Sequence, residues 1–214
     1  MNQTIKLDVV SDVVCPWCII GYKRLEQAIR ELGVEDRIDL EWQPFELNPH
    51  MPLEGQNLRE HLAEKYGTTK EDSIRAREQL TQLGREVGFT FDYSDEMKML
   101  NTFEAHILLE YAKEQGKQTD LKLRLFSAFF GEGKDISNRE VLANELAAVG
   151  LDSKSAIARL DDPNARLEVQ HAEETWKNLG ISSVPTVVFN RQSALTGAQP
   201  VEVYKQVLQE LLAQ

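Results

Sequence analysis

Two cysteines, Cys15 and Cys18, are all that 214 residues contain. No disulfide framework can staple the fold, and the pair needs another explanation. No run approaches 18 uncharged apolar residues, which excludes a transmembrane helix. Positive charge is scarce: 24 Lys and Arg stand against 35 Asp and Glu, a net charge of −11. Such a chain is repelled by phosphate backbones and anionic bilayers, so neither nucleic acid nor membrane is an expected partner. Twelve Gly and seven Pro fall without period, removing collagen-like and low-complexity classes. Only four histidines occur, His50, His61, His106 and His171, with no second Cys-x-x-Cys. A tetrahedral zinc site lacks ligands, and no metal is expected. At the N-terminus Lys6, Asp8 and Asp12 interrupt any apolar segment of secretory-signal length, so a cytoplasmic location is expected.

The composition is 42% apolar and 28% charged, which suits a globular α/β chain with a real core. Ile5 to Val10 is β-rich, Pro16 to Leu32 helical, and Ile38 to Phe45 β-rich again, a βαβ unit. On the helix, Cys18, Tyr22, Leu25, Ile29 and Leu32 recur in steps of four and three, and Gly33 supplies a left-handed stop.

From Asn57 to Gly180 the pattern is helical. It includes an apolar stripe Ala76, Leu80, Leu83 and Val87, a largely buried segment from Leu100 to Tyr111, and an apolar helix from Leu121 to Phe130. Ser137 with Glu140 reads as a capping box. Asp162 and Pro163 start a helix whose Ala165, Val169, Ala172, Trp176 and Leu179 form its inner face. Strand Thr186 to Phe189, a partner at Ala194 to Thr196 and helix Val201 to Leu212 finish the chain as ββα. A βαβ start and ββα end flanking a helical block predict one discontinuous α/β domain with an insertion.

Cys15-Pro16-Trp17-Cys18 sits at the strand-to-helix junction of the βαβ unit. Two cysteines fall three apart in only about 1 in 100 random placements. The spacing fits redox chemistry: one thiol at the helix N-terminus is stabilised as thiolate, and the other lies one turn inward where it can close a disulfide. Cys15 is therefore expected to be the accessible, acidic nucleophile and Cys18 the resolving thiol. Half a zinc site or two inert core thiols are the competing readings. His106, in an apolar helix, reads first as a paired core histidine. Asp12 reads as a solvated loop carboxylate with a possible role as proton acceptor, and Asp8 as a second such candidate.

The Cys15–Cys18 motif, the helical insertion and Ser183-Val184-Pro185-Thr186 before the last hairpin resemble the DsbA family of thiol-disulfide oxidoreductases. Asn101-Thr102-Phe103 with His106, Leu125 to Phe130 followed by Glu132-Gly133, and Thr196-Gly197-Ala198-Gln199-Pro200 are similar to its FrnE-like branch. That branch is related to 2-hydroxychromene-2-carboxylate isomerases and kappa-class glutathione transferases. The resemblance implies a thioredoxin-like domain over 1–50 and 181–214 with a helical insertion over 51–180. It further implies a cis bond at Val184-Pro185 facing the cysteines, and Asn101 and His106 near them. Pro16, Trp17, Val184, Gly197, Ala198 and Gln199 would border a substrate or glutathione. A helix N-terminus after Gln199 suits the γ-glutamyl carboxylate. No bound cofactor is implied; glutathione is a possible co-substrate, and a thiol- or disulfide-containing protein the other partner. Two alternatives stand beside this: a glutathione-dependent isomerase or transferase, whose members carry serine in place of Cys15, and a non-enzymatic redox-sensing module that holds clients.

Overall fold

The computed structural model describes residues 4–213. Strand β1 (Ile5–Ser11), helix α1 (Pro16–Leu32) and strand β2 (Ile38–Pro44) make the opening βαβ unit. Pro16 takes the first helical position, where a missing N–H costs nothing. Gly33 closes the helix at φ 62°, where the N–H groups of Gly33 and Val34 reach back to Arg30 and Ile29.

The middle of the chain holds a two-residue ladder of β3 (Gln56–Asn57) and β4 (Lys98–Met99), which the helical pattern had not predicted. Around it lie α2 (Leu58–Tyr66), α3 (Lys70–Glu86), α4 (Phe103–Glu114), α5 (Gln118–Phe126), α6 (Arg139–Ala148), α7 (Ser153–Ala158) and α8 (Pro163–Asn178). Strands β5 (Thr186–Phe189) and β6 (Ser193–Thr196) and helix α9 (Val201–Leu212) finish the chain.

The main sheet runs β2-β1-β5-β6, with β1 parallel to β2 and the other pairings antiparallel. Residues alternate between its faces. Ile5, Leu7, Val9 and Phe189 join the main core with the buried side of α1 and with Tyr204 and Leu208 of α9. Val10 and Val188 point the other way, onto Phe45 and Trp176 of α8. Helix α5 is held to the sheet edge by Gln118, whose side chain accepts from the Trp42 N–H at 2.9 Å and donates to the Trp42 carbonyl at 3.0 Å. This covers part of an otherwise unpaired strand edge.

Several expected elements differ in detail. The cap of α6 is Asn138, which accepts from the N–H groups of Glu140 and Val141, while Ser137 Oγ donates to Asp135 and to the Leu53 carbonyl. Asn138 sits one residue nearer the helix, and the Ser137 hydroxyl is already engaged. The apolar run after Leu121 leaves the α-helix at Phe126 and continues as a π-turn over Ser127–Gly131. The wider turn brings Phe129 and Phe130 together into the aromatic cluster with Phe89, Phe91 and Phe126. Helix α4 starts only at Phe103, because the Asn101 side chain takes that residue's N–H. On α3, Ala76 is exposed and Ser73, Leu80 and Gly84 form the inner face; Leu179, beyond the end of α8, is 68% exposed.

Candidate active site

Cys15 is the N-cap of α1, in extended conformation (φ −96°, ψ 111°) and without a side-chain cap. Its N–H donates to the Asp12 carbonyl at 3.2 Å, and the Cys18 N–H donates to the Cys15 carbonyl at 3.1 Å. These bonds fold the motif into the first helical turn and bring the two free thiols within hydrogen-bonding contact. Cys15 is 4% exposed and Cys18 sealed. Trp17, between them, is 39% exposed, and Pro16 is half-buried.

Across from Cys15 runs the Val184-Pro185 loop, with a cis peptide bond. Cys15 Sγ donates to the Val184 carbonyl at 3.8 Å. The Pro185 carbonyl accepts from the Gly197 N–H at 2.7 Å, tying this loop to the turn before α9. Gly197 has φ 84°, the Ala198 carbonyl accepts from Arg24 at 3.1 Å, and the Gln199 amide folds back onto the Thr196 carbonyl at 2.7 Å. Helix α9 then opens without a side-chain cap. Gly21 lets α1 approach both segments: a Cβ there would stand 3.2 Å from Pro185 and 3.3 Å from Ala198.

Burial pushes the Cys15 thiol well up, and its S–H toward Cys18 reinforces this. Burial also opposes ionisation of Cys18, but the Cys15 S–H, the Ser11 hydroxyl beside it and the Lys122 charge outweigh it and hold Cys18 below the ordinary thiol value. Of the two sulfurs Cys18 is thus the easier to ionise and Cys15 the harder. This order is opposite to the expected one, because Cys15 is almost covered while the Lys122 charge acts on the inner sulfur.

Lys122 is fully buried on α5, and among the described residues its Nζ has no hydrogen-bond partner. It stands 5.1 Å from the centre of the Trp42 ring and 5.3 Å from that of Phe126. Burial pushes its amine down to about 8, against the pull of Cys18, Asp12 and Cys15.

Asp12 is sealed rather than solvated. Its carboxylate accepts from the N–H groups of Val13 and Leu47, both at 2.8 Å, and pairs with His106 Nε2 at 3.1 Å. Burial favours its neutral form, yet the His106 bond and charge outweigh this and keep it below the ordinary aspartate value. The loop after β2 and helix α4 close over Asp12, which sequence spacing does not report. His106 is thus a buried, paired histidine, and its partner is an active-site loop residue. Asn101 is engaged elsewhere: its amide donates to the Met51 carbonyl at 2.8 Å and accepts from the Phe103 N–H at 3.0 Å. Asp8, also buried, lies on the sheet face opposite that of Val9, bonded by Gln43 at 2.7 Å and Arg191 at 3.4 Å.

Lys122 and Ser11 were missed in the sequence. The signal for Lys122 existed: it falls on the α5 face of Gln118, Leu121 and Leu125, where a solvated lysine does not belong.

Comparison with known proteins identifies the family and the fold. A family model described as the DSBA-like thioredoxin domain matches residues 6–209. The crystal structure of a probable DsbA oxidoreductase, SCO1869 from Streptomyces coelicolor, superposes with a TM-score of 0.92 at 29% identity, covering 98% of this chain and 91% of that one. YwbO of Bacillus subtilis is 27% identical over 213 residues, 97% of this chain and 98% of its own. The cytosolic disulfide reductase DsbM from Pseudomonas aeruginosa, solved with GSH, shares the fold at a TM-score of 0.67 and 19% identity, with 98% and 100% of the two chains covered. The chain belongs to the DSBA-like thioredoxin domain family, as a thioredoxin-like α/β fold carrying a helical insertion.

Proposed function

We propose that this protein is a thiol-disulfide oxidoreductase of the FrnE-like type, with Cys15 as nucleophile and Cys18 as resolving thiol. The observation that carries this reading is the placement of Cys15 Sγ between the inner Cys18 and the Val184 carbonyl, at a helix N-terminus. An approaching disulfide meets Cys15 first, since Cys18 has no surface. The Cys15 proton passes to Cys18, the sulfur that burial hinders less, as the Cys15 electron pair forms the new S–S bond. The substrate S–S bond breaks, and its departing sulfur leaves as thiolate and takes a proton from water. Cys18 then gives up its proton, which passes to water, attacks Cys15 Sγ with the electron pair left on its sulfur, and expels the second substrate sulfur as a thiolate that takes a proton from water. Two electrons have moved from the dithiol to the substrate, and a thiol donor such as glutathione restores the dithiol through the reverse exchange.

Glutathione needs no resident site for this. As co-substrate it would lie in extended form along Val184, with its γ-glutamyl carboxylate toward Gly197, Ala198 and Gln199 before α9. A cytoplasmic setting, where thiol donors abound, suits this direction of flow. The isomerase or transferase alternative gains nothing from the retained Cys15 and Cys18.

The decisive experiment is reduction of a protein disulfide, such as insulin, with glutathione as donor. Catalysis by the wild type and its loss in Cys15→Ser are expected. A wild type no faster than free glutathione would leave the client-holding module as the better reading.

A further inference from the structure

His61, on α2, has no part in the exchange just described. It is half-buried, and both ring nitrogens are engaged: Nδ1 lies 2.9 Å from Gln56 Oε1, and Nε2 lies 2.9 Å from Asn48 Oδ1. The other neighbours of the two amides fix which atom each turns to the ring. Gln56 Nε2 donates to the Glu64 carboxylate at 2.8 Å, and a carboxylate only accepts, so Gln56 presents its oxygen to His61. Lys65 Nζ donates to Asn48 Oδ1 at 2.8 Å, and an ammonium only donates, so Asn48 presents its oxygen as well. A neutral imidazole has one N–H and one lone pair, and between two oxygens it leaves one contact unmade. The imidazolium, with two N–H groups, makes both.

The same network ties α2 to the loop that covers the active site, and every link is a hydrogen bond. Lys65 Nζ also donates to the Leu47 carbonyl at 3.0 Å, the Leu47 N–H donates to Asp12 Oδ2 at 2.8 Å, and the Asp12 carbonyl accepts from the Cys15 N–H at 3.2 Å. The charged and titratable groups around His61 are Glu64 and Lys65 from α2 and His50 from the loop, with which it borders a cavity of about 460 Å³. Burial and then the Lys65 ammonium press the ring toward its neutral form, and the Glu64 carboxylate favours the charged one. When the proton leaves, one amide has to turn. Turning Gln56 would set its oxygen against the Glu64 carboxylate. Turning Asn48 forfeits only its bond from Lys65, which keeps the Leu47 carbonyl.

We propose that His61 is a proton-operated latch on residues 47–48. With both nitrogens protonated it donates to Gln56 and Asn48, and Asn48 in turn holds Lys65. When Nε2 gives its proton to water, Asn48 turns its amide, donates to the ring and releases Lys65, so the loop loses one of its bonds to α2. The inference stands on the donor and acceptor chemistry of these side chains and goes beyond the disulfide-exchange reading.

The test is nitrogen-15 NMR of the labelled wild type. On raising the pH between about 5 and 8, His61 should pass from two ring N–H groups to one, with Nδ1 keeping its proton. The Asn48 side-chain amide signals should move with the same midpoint. Over that step the Leu47 N–H should exchange about 10-fold faster, after correction for the intrinsic pH dependence, because its loop is held by one bond fewer. A single ring N–H throughout, loss of the Nδ1 proton instead, or Asn48 signals that ignore the His61 midpoint would overturn the latch. Asn48→Asp, which puts a carboxylate against the ring, should raise the His61 midpoint by about one pH unit. His61→Gln should remove the pH step in Leu47 exchange, and its persistence in that folded variant would also overturn the latch. No arm reads thiol chemistry, so a failure to reduce insulin would leave this result untouched.

Discussion

An ammonium buried without a hydrogen-bond partner opposes folding, and among the described residues Lys122 is such a group. Its pKa in the fold, about 8, lies below the ordinary 10.5. The folded chain therefore binds fewer protons than the unfolded one between these values, and stability rises as pH climbs through that window. Below pH 8 the full penalty applies, roughly 3 kcal/mol. Lys122→Met should raise the thermal midpoint at neutral pH and abolish the rise between about pH 8 and pH 10. It should also slow thiol exchange at neutral pH by about 10-fold, since the thiolate loses its cation. A midpoint lowered at neutral pH would show that the ammonium stabilises the fold. For the sulfurs themselves, Cys18→Ala should accumulate a Cys15 mixed disulfide on non-reducing gels and Cys15→Ser should not; equal trapping by both would deny them separate roles. The cysteines could be read from their spacing alone. Asp12 and Lys122 could not be assigned so directly: a sequence names the side chain but not the distant segments that close over it, here residues 45–48, α4 and the face of α5.

Among the elements, α3 shows what packing demands of a helix with little apolar surface. Its inner face needs Gly84, because a Cβ would stand 2.5 Å from Phe91 and 2.6 Å from the Phe89 carbonyl. Gly84→Ala gains helix propensity but must displace backbone, so a net loss of about 2 kcal/mol is expected from denaturant unfolding; a stabilised variant would contradict the close approach. Helices with a clean apolar period and a glycine stop, such as α1, were legible from the chain. The start of α6 was not, since Ser137 and Asn138 both suit a cap and tertiary bonds to Asp135 and Leu53 decide between them. Nor was the π-turn at Ser127–Gly131, which answers to the aromatic cluster rather than to local preference.

For the whole molecule, one hydrophobic cluster runs from Ile5 and Leu25 through Trp42 to Leu108, Phe126 and Leu146. The sheet and the inserted helices thus share a core, and residues 51–180 should not unfold by themselves. Far-ultraviolet ellipticity, which follows mostly the helices, and pulsed alkylation of Cys15 and Cys18, which follows the βαβ unit, should give superimposable urea transitions. Two separated midpoints would mark the insertion as an independent unit. That same closed core has a further consequence through the three tryptophans. Trp42 and Trp176 are 2% and 7% exposed, whereas Trp17 is 39% exposed between the two cysteines. Acrylamide in solution can therefore reach essentially one indole, the one on the redox surface, and the loss of its quenching reports occupation of that surface by any bound peptide, without a label.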